Sequence, residues 1–263
     1  MQANYNPHGE YRGNVICTAQ LGCDTDYEYY QDWGGQTESR INQVINSINT
    51  QYEDELSLTH EITTVIIRSS SNDPYTTNDA GGLLDQFADE WNSNQGSIPR
   101  DLAHMFTGRN LSGGTIGIAW LGSVCFTSYA YGLAQSDCCG SFGCTTDLSA
   151  HEIGHGWSAG HVNSPSYNTM YPSLQCANLF ASSSISTITA FANGSNCLSC
   201  ANNAPTGACC ITGNQCFELP ASNCIAGSGT YAGDNVACAD ADCLDPEGAC
   251  CVGGSCTLYT ASE

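Results

Sequence analysis

The chain has 263 residues, of which 41% are hydrophobic, enough for one full core and a smaller appendage. Its 26 acidic residues face only five arginines, so the formal charge of −21 argues against binding nucleic acid or inserting into an anionic membrane. No stretch approaches a membrane span. Eighteen cysteines along the whole length indicate an oxidising compartment, so we expect a secreted protein whose export signal and propeptide lie outside this sequence.

Hydrophobic periodicity predicts a mixture of helices and extended segments before residue 200. Apolar residues at helical spacing mark the helices, whereas alternation and β-branched residues mark the strands. In chain order, the pattern predicts a helix over 37–52, a strand over 56–68, a helix around 83–91, an extended segment over 114–125 and a last helix over 183–192.

One segment carries a pattern specific to metal chemistry. Residues 151–161 read His-Glu-Ile-Gly-His-Gly-Trp-Ser-Ala-Gly-His. On a helix, His151 and His155 lie one above the other, so their imidazoles can share an ion while Glu152 sits beside it. We expect Thr145, Thr146 or Asp147 to cap this helix. A turn after the helix must then bring His161 back as the third ligand.

Three neutral imidazoles predict a catalytic zinc site, because a structural zinc site is closed by four protein ligands. The fourth position is left for water, and Glu152 is placed to act as its general base. Such a site hydrolyses peptide bonds without a covalent intermediate. We therefore expect zinc as cofactor and a protein or peptide as substrate.

The extended motif resembles that of the metzincin metalloendopeptidases, which also have a methionine turn beneath the metal. Asn168-Thr169-Met170-Tyr171-Pro172 fits such a turn, and its spacing from His161 is similar to that of the matrixins. The resemblance implies that Met170 supports the metal site. It also implies that Tyr171 and Pro172 help to wall the pocket for the substrate side chain after the cut.

The rest of the first 200 residues resembles the adamalysin or reprolysin family, through segments that match in order over roughly residues 12–200. These segments are 46–52, 84–91, 101–108, 115–125 and 191–198. The resemblance implies an α+β fold of the three-layer metzincin type, with a five-stranded twisted mixed sheet, helices and an active-site cleft.

Two further features follow from that resemblance. The segment Ile116, Gly117, Ile118, Ala119 and Trp120 would lie at the edge strand of the cleft, where an extended substrate adds itself by main-chain hydrogen bonds. The resemblance also implies a disulfide between Cys125 and Cys197.

The sequence departs from the family pattern at three places. Ser158 stands where the clan has the glycine of the turn, so either it adopts a positive φ at a cost or Gly156 and Gly160 share the turn. Val162 follows the third histidine, where adamalysins have Asp. Of their calcium ligands only Asp101 is matched, since Thr18 and Cys200 replace Glu and Asn, and calcium binding is therefore left open.

The composition changes after Cys200. We assign residues 1–200 to the metzincin-like domain, 201–206 to a linker, 207–247 to a cysteine-rich repeat and 248–263 to an incomplete second copy. Gly207-Ala208-Cys209-Cys210 recurs 41 residues later, and such a unit has too few apolar residues to fold without disulfides. The pairing of its six cysteines is not readable. A surface or matrix attachment role is one hypothesis for these repeats.

Other candidates have plainer interpretations. His8, His60 and His104 stand alone in the sequence and are more typical of surface or core histidines than of ligands. The pairs Cys138-Cys139 and Cys197/Cys200 favour disulfides over metal ligation. The nine cysteines before residue 201 leave at least one without a partner inside that domain.

Two functions of different classes remain. The first is a secreted zinc endopeptidase with His151, His155 and His161 as ligands and Glu152 as base. The second is a catalytically silent metzincin fold that serves as an extracellular binding or structural protein, its third ligand displaced by Ser158. A zinc amidase or deacetylase would use similar chemistry.

Overall fold

The computed structural model describes residues 15–202, 206–211, 215–226, 229–241, 243, 247–252 and 255–260. These fall into two compact units, one formed by Ile16–Cys200 and the other containing the chain from Ala201 onward. No helix in the described ranges is long and apolar enough to cross a membrane.

The first unit alternates strands and helices. In chain order, they are β1 (Val15–Thr25), α1 (Tyr27–Trp33), α2 (Thr37–Leu56), β2 (Leu58–Ile66), α3 (Ala80–Asn94), β3 (Leu102–Thr107), β4 (Gly117–Ala119), β5 (Tyr131–Gln135), α4 (Phe142–Gly156), α5 (Ser182–Gly194) and β6 (Ser199–Asn202).

These strands form one mixed sheet in the order β2-β1-β3-β5-β4, with β6 as an additional strand on β1. The strands β2, β1, β3 and β5 run parallel to one another, and β4 is antiparallel to its neighbour β5. The five-stranded mixed sheet expected from the sequence is thus present, with β6 as a sixth strand. Because β4 ends the strand order, one of its edges is left for another extended chain.

Two apolar cores cover the two faces of the sheet, which makes three layers. On one face, residues of α2, α4 and α5 pack with β1, including Ile45, Ile153 and Ile188. On the other face, α3 packs its Phe87 and Trp91 against β3 and β5. The apolar periodicity in α2 and α3 that the sequence shows is the periodicity of their buried faces.

Helix α4, which carries the histidine pair, begins earlier than the sequence indicated. Ser141 caps its N-terminus, since the Ser141 hydroxyl accepts a hydrogen bond from the Cys144 amide. The expected caps at Thr145, Thr146 or Asp147 were wrong, because all three lie buried inside the helix. The extended segment over 114–125 was also too long, since strand structure ends at Ala119.

Four disulfides tie the first unit together. They join Cys17 to Cys200, Cys125 to Cys197, Cys138 to Cys139 and Cys144 to Cys176. The ninth cysteine of this unit, Cys23, is buried and unpaired, and burial raises the pKa of its thiol. A buried neutral thiol of this kind is a core residue.

The second unit contains two β-hairpins with matching register. They are formed by β7 (Thr206–Ile211) with β8 (Gln215–Pro220), and by β10 (Glu247–Val252) with β11 (Ser255–Thr260). In the first hairpin Cys210 faces Cys216, and in the second Cys251 faces Cys256. A short helix, α6 (Ala221–Ala226), and strand β9 (Thr230–Tyr231) complete the first copy.

The first copy of the repeat has only a small apolar core, and disulfides stabilise it instead. They join Cys209 to Cys224, Cys210 to Cys243 and Cys216 to Cys238. This connectivity is one of the fifteen that the sequence left open. Residues 203–205 of the expected linker lie outside the described residues.

Candidate metal centre

Three histidines converge on one point at the end of α4. The ring centroids of His151 and His155, one helical turn apart, are separated by 4.6 Å. The ring of His161 lies 5.2 Å from the first and 4.9 Å from the second. Nitrogen atoms of the three rings all lie within 4.8 Å of one another. The chain thus brings together the three ligands that the motif predicts.

Backbone carbonyls fix the outward nitrogen of two of these rings. His151 Nδ1 lies 2.6 Å from the Thr169 carbonyl, and His155 Nδ1 lies 2.7 Å from the Ala159 carbonyl. A carbonyl only accepts, so each Nδ1 carries the proton and each Nε2 lone pair is free for a ligand. Burial lowers the pKa of His151 to about 4 and also lowers that of His155. Both rings are therefore neutral near pH 7, as metal binding requires.

A tight turn after α4 returns His161 to the pair. Ser158 adopts a φ of +73°, and the Ala159 amide donates to the Gly154 carbonyl at 2.9 Å. Neither Gly156 nor Gly160 has a positive φ, so the turn is not shared with the glycines. Ser158 itself takes the left-handed conformation for which its relatives use glycine, and the third histidine reaches the site.

Glu152 is buried beside the histidines, with only 4% of its surface exposed. Its Oε2 has no hydrogen-bond partner among the described residues, and burial raises the pKa of the carboxyl to about 8. Edge-strand residue Gly117 packs directly on this carboxylate. A Cβ atom at position 117 would lie 2.7 Å from Glu152 Cδ and closer still to Oε1. The missing side chain of Gly117 is what gives the carboxylate its space.

The segment after His161 forms a turn beneath the site. Met170 is fully buried, and its sulfur packs against α4 at Gly154, where a Cβ atom would lie 2.7 Å from Sδ. The Met170 carbonyl accepts from the Val162 amide at 2.8 Å. Met170 therefore supports the helix turn that carries both histidines and also anchors the chain just after His161.

Sequence reasoning missed two residues that hold this turn. The Thr169 hydroxyl donates to the buried Asp147 carboxylate at 2.7 Å and accepts from Gln51 at 3.1 Å. Asp147 also accepts from the amides of Ala177 and Asn178 at 3.0 Å each. Because Thr169 presents its carbonyl to His151, this network positions a ligand. No motif marks Asp147, although an acidic residue in a buried helix interior is a signal in itself.

Of the expected substrate-binding residues, those of the edge strand form β4, whose Gly117 packs on Glu152. Gly117, Ile118 and Ala119 form β4, and the pairing with β5 is extended by hydrogen bonds at Ile116 and Trp120. Tyr171 is partly buried and Pro172 is exposed directly after Met170. The role of Tyr171 and Pro172 as walls of the substrate pocket stays a prediction.

Two of the three lone histidines, His60 and His104, are core residues, and His8 lies outside the described residues. His60 receives a hydrogen bond from Trp157 Nε1 at 3.1 Å and pairs with Asn49 Oδ1 at 3.0 Å. His104 is buried without a hydrogen-bond partner among the described residues and lines a small cavity together with Glu152. Burial lowers the pKa of both rings to about 3.

Residues at the expected calcium position have structural contacts instead. Cys200 is bound to Cys17, and the Asp101 carboxylate accepts from the Gln20 amide at 2.7 Å. The sequence also clusters Asp234, Asp240, Asp242 and Asp245 in the first repeat, where a solvated loop is a plainer interpretation than a calcium site, and Asp242 and Asp245 lie outside the described residues. A calcium site therefore stays a prediction.

The donor set fits a zinc ion. Zinc binds imidazole nitrogen at about 2.0–2.1 Å in tetrahedral geometry, which separates neighbouring ligand nitrogens by about 3.3 Å. The Nε2 atoms of His151 and His161 are 3.2 Å apart. The Nε2 atom of His151 carries no proton and is free to bind a ligand, and the buried Glu152 carboxylate has an oxygen without a partner among the described residues. The three histidines could therefore hold one metal ion.

A three-layer α+β fold with a histidine triad at the end of its central helix defines the metzincin class of metallopeptidases. Residues 18–216 match the family model Reprolysin_5, described as metallo-peptidase family M12. The chain therefore belongs to the reprolysin-like branch of the M12 metallopeptidases. The match extends past Cys200 and ends in the first hairpin of the second unit.

Solved structures share the fold. One described as the structure of a chaperone–substrate complex superposes with a TM-score of 0.53 at 15% identity, covering 68% of this chain. The match spans only 34% of the other chain, so the likeness concerns one fold within a longer protein. No curated protein matches this chain.

Proposed function

We propose that this protein is a secreted zinc endopeptidase, with His151, His155 and His161 as ligands and Glu152 as general base. The convergence of three histidine rings on one point, with Glu152 buried beside them, carries the proposal. Family membership supports a peptidase in general. Seven disulfides among the described residues favour an extracellular location.

The histidines would hold zinc through their Nε2 atoms, with one side left open to solvent and substrate. Bound there, zinc would polarise the scissile carbonyl and lower the pKa of water. Thr169 and Ala159 contribute by fixing the proton of His151 and His155 on Nδ1. Each ring then needs no tautomer change to bind the ion.

Glu152 would carry the proton during hydrolysis. Its carboxylate takes one proton from the attacking water and passes it to the departing amine nitrogen as the carbon–nitrogen bond breaks. Burial raises the pKa of this carboxyl in the metal-free site, and the charge of a bound cation would lower it again, so that the carboxylate can accept the proton and then release it. Gly117 keeps the carboxylate beside the ligands.

The substrate would bind in extended form along β4, which is the last strand of the sheet. Main-chain hydrogen bonds from this edge orient a peptide without demanding particular side chains. Tyr171 and Pro172 would contact the side chain that follows the cut. This mode requires an unfolded segment or an exposed loop of a protein, which is the general substrate class we propose.

The proposal also gives a role to the cysteine-rich segment, and it weighs against the silent-fold alternative. The cysteine-rich segment would attach the enzyme to a surface or matrix, because its first copy is disulfide-bonded and belongs to a compact unit other than the peptidase unit. The silent-fold alternative rested on Ser158 displacing the third ligand. The geometry disfavours it, since Ser158 takes the required turn and His161 Nε2 lies 3.2 Å from its neighbour.

Cleavage of a reduced and alkylated protein by the purified chain tests the proposal. We expect cleavage that a chelator abolishes, that stoichiometric zinc restores and that Glu152→Gln reduces at least about 1,000-fold. Glu61→Gln, an exposed position on β2, is the matched control and should cleave like the natural sequence. Full zinc binding with no cleavage of any substrate would favour the silent fold instead.

A further inference from the structure

A cluster of exposed aromatic and aliphatic side chains follows the edge strand β4 directly. We call it the aromatic pocket, formed by Trp120, Leu121, Phe126 and Tyr129. The exposed fractions of the last three are 61%, 62% and 64%, although large apolar side chains are usually buried. An exposed apolar cluster of this kind is typical of a surface that binds something.

The pocket has the size and lining of a side-chain binding site. Its volume is about 490 Å³, and Gly122 and Ser123 complete its wall. No charged residue lines it. A charged side chain placed there would lose water without gaining a partner, whereas an aromatic or large aliphatic one would gain contacts. The ring of Tyr129 already packs against Trp120, with centroids 5.6 Å apart.

The segment that forms the pocket is fixed to the metal centre. The Gly122 amide donates to the carbonyl of His155 at 2.9 Å, and the Ser123 amide donates to that of Gly156 at the same distance. Cys125 is held by its disulfide to Cys197. The pocket is thus preorganised and bound to the last turn of the ligand-bearing helix, so binding there costs little ordering.

The position of the pocket along the edge strand defines which substrate residue reaches it. Gly117 contacts the Glu152 carboxylate, and Trp120 follows three residues later. At about 3.3 Å per extended residue, the pocket begins about 10 Å from the reacting centre. Antiparallel pairing is the more stable arrangement. A substrate paired antiparallel with β4 directs the residues before its cleaved bond towards the pocket.

We propose that the aromatic pocket binds a bulky apolar side chain of the substrate, three or four residues before the cleaved bond. The inference rests on the proposed peptidase function and narrows its substrates to extended segments with Phe, Tyr, Trp or Leu at that distance. The preference arises from Leu121 and Phe126, whose exposed surfaces have no other contact that buries them.

Peptide pairs that differ at one position test the pocket. The pairs carry Phe or Gly at the third or the fourth residue before the cleaved bond, which is located by mass spectrometry. We expect the Phe peptides to be cleaved with kcat/KM at least about tenfold higher, through a lower KM. Leu121→Ser combined with Phe126→Ser should abolish this difference, so that the Phe and Gly peptides are cleaved with equal kcat/KM, and a difference that persists would overturn the pocket. Ile225→Ser, an exposed apolar residue of the second unit, is the control.

A binding measurement separates this inference from the proposed function. Fluorescence anisotropy with the Glu152→Gln chain reports binding of the labelled Phe and Gly peptides without any cleavage. Tighter binding of the Phe peptide, lost in the double serine variant, supports the pocket even if the natural chain cleaves nothing. Equal binding of both peptides, or a preference that survives the double substitution, overturns the pocket even if cleavage is vigorous.

Discussion

The contact between Gly117 and Glu152 sets the position of the proposed base. Edge strand and ligand helix approach so closely here that a single methyl group would overlap the carboxylate. The substrate-binding edge and the base are therefore fixed to each other by a residue without a side chain. The position of Glu152 is a property of β4 as much as of α4.

Gly117→Ala should therefore damage catalysis without affecting metal binding. The added methyl displaces the carboxylate by about an ångström, and a misplacement of that size costs about 100-fold in kcat/KM. Gly35→Ala, where nothing lies within 4 Å of a Cβ atom, is the control. Steady-state kinetics and zinc content measure the two effects. Unchanged kcat/KM in the Gly117 variant would show that the carboxylate tolerates the methyl.

Ser158 stores strain at the turn before the third ligand. A left-handed conformation costs an L-residue roughly 1–2 kcal/mol, and glycine recovers part of this at an entropic cost. We expect Ser158→Gly to raise the free energy of unfolding by up to about 1 kcal/mol, with zinc affinity retained. Ser39→Gly, on the exposed face of α2, should lower it by about 0.5 kcal/mol. Denaturant unfolding measures the free energy of unfolding of both variants. A Ser158→Gly variant that is less stable than the natural sequence would contradict this account.

At the scale of elements, helix α4 and the methionine turn are interlocked. Asp147, inside the helix, binds Thr169 and the amides that follow the turn, and Thr169 in turn presents its carbonyl to His151. Met170 fills the space under Gly154. The ligand geometry thus depends on a side-chain network between two segments more than twenty residues apart.

Thr169→Val tests this dependence. Valine keeps the shape but removes the hydroxyl that links Asp147, Gln51 and the Leu179 amide. We expect zinc affinity to fall 10- to 100-fold, as for other supports of metal ligands. Competition with a chromophoric chelator measures it, with the exposed Thr50→Val as control. Equal affinity in both variants would mean that the backbone alone holds the carbonyl.

The sequence predicts the residues of this site that lie close together in the chain, but not the contacts that form only in the tertiary structure. His151, His155, Glu152 and His161 lie within eleven residues, so helix periodicity and one turn are enough to bring them together. Asp147, Thr169 and Gly117 act through contacts across 22 and 35 residues, which no local pattern specifies. The helix start shows the same limit, because Ser141 caps the helix and the three expected caps are buried inside it.

At the scale of the whole molecule, disulfides close the first unit. The bond between Cys17 and Cys200 joins the first strand to the last across 183 residues, where the family resemblance implied a calcium site. A covalent link thus joins the chain at this position. Residue types alone did not reveal this pairing, because Cys17 and Cys200 meet only once the sheet has formed.

Replacing Cys17 and Cys200 by serine should cost about 2–5 kcal/mol of unfolding free energy, because the loop that the bond closes is long. The bond between Cys138 and Cys139 closes no loop of chain, so serine at both positions should cost far less. Thermal or denaturant unfolding of the two double variants makes the comparison. Equal losses would show that loop closure is not the source of the stability.

The central claim is that three histidines form one metal site that Glu152 serves without binding. Zinc content per chain, measured by elemental analysis after dialysis, tests it most directly in the natural chain, in His155→Ala, in His161→Ala and in Glu152→Gln. We predict one zinc per chain in the natural sequence and in Glu152→Gln, and loss of that zinc in both histidine variants. Full zinc in the histidine variants, or none in the natural chain at micromolar free zinc, would contradict the account.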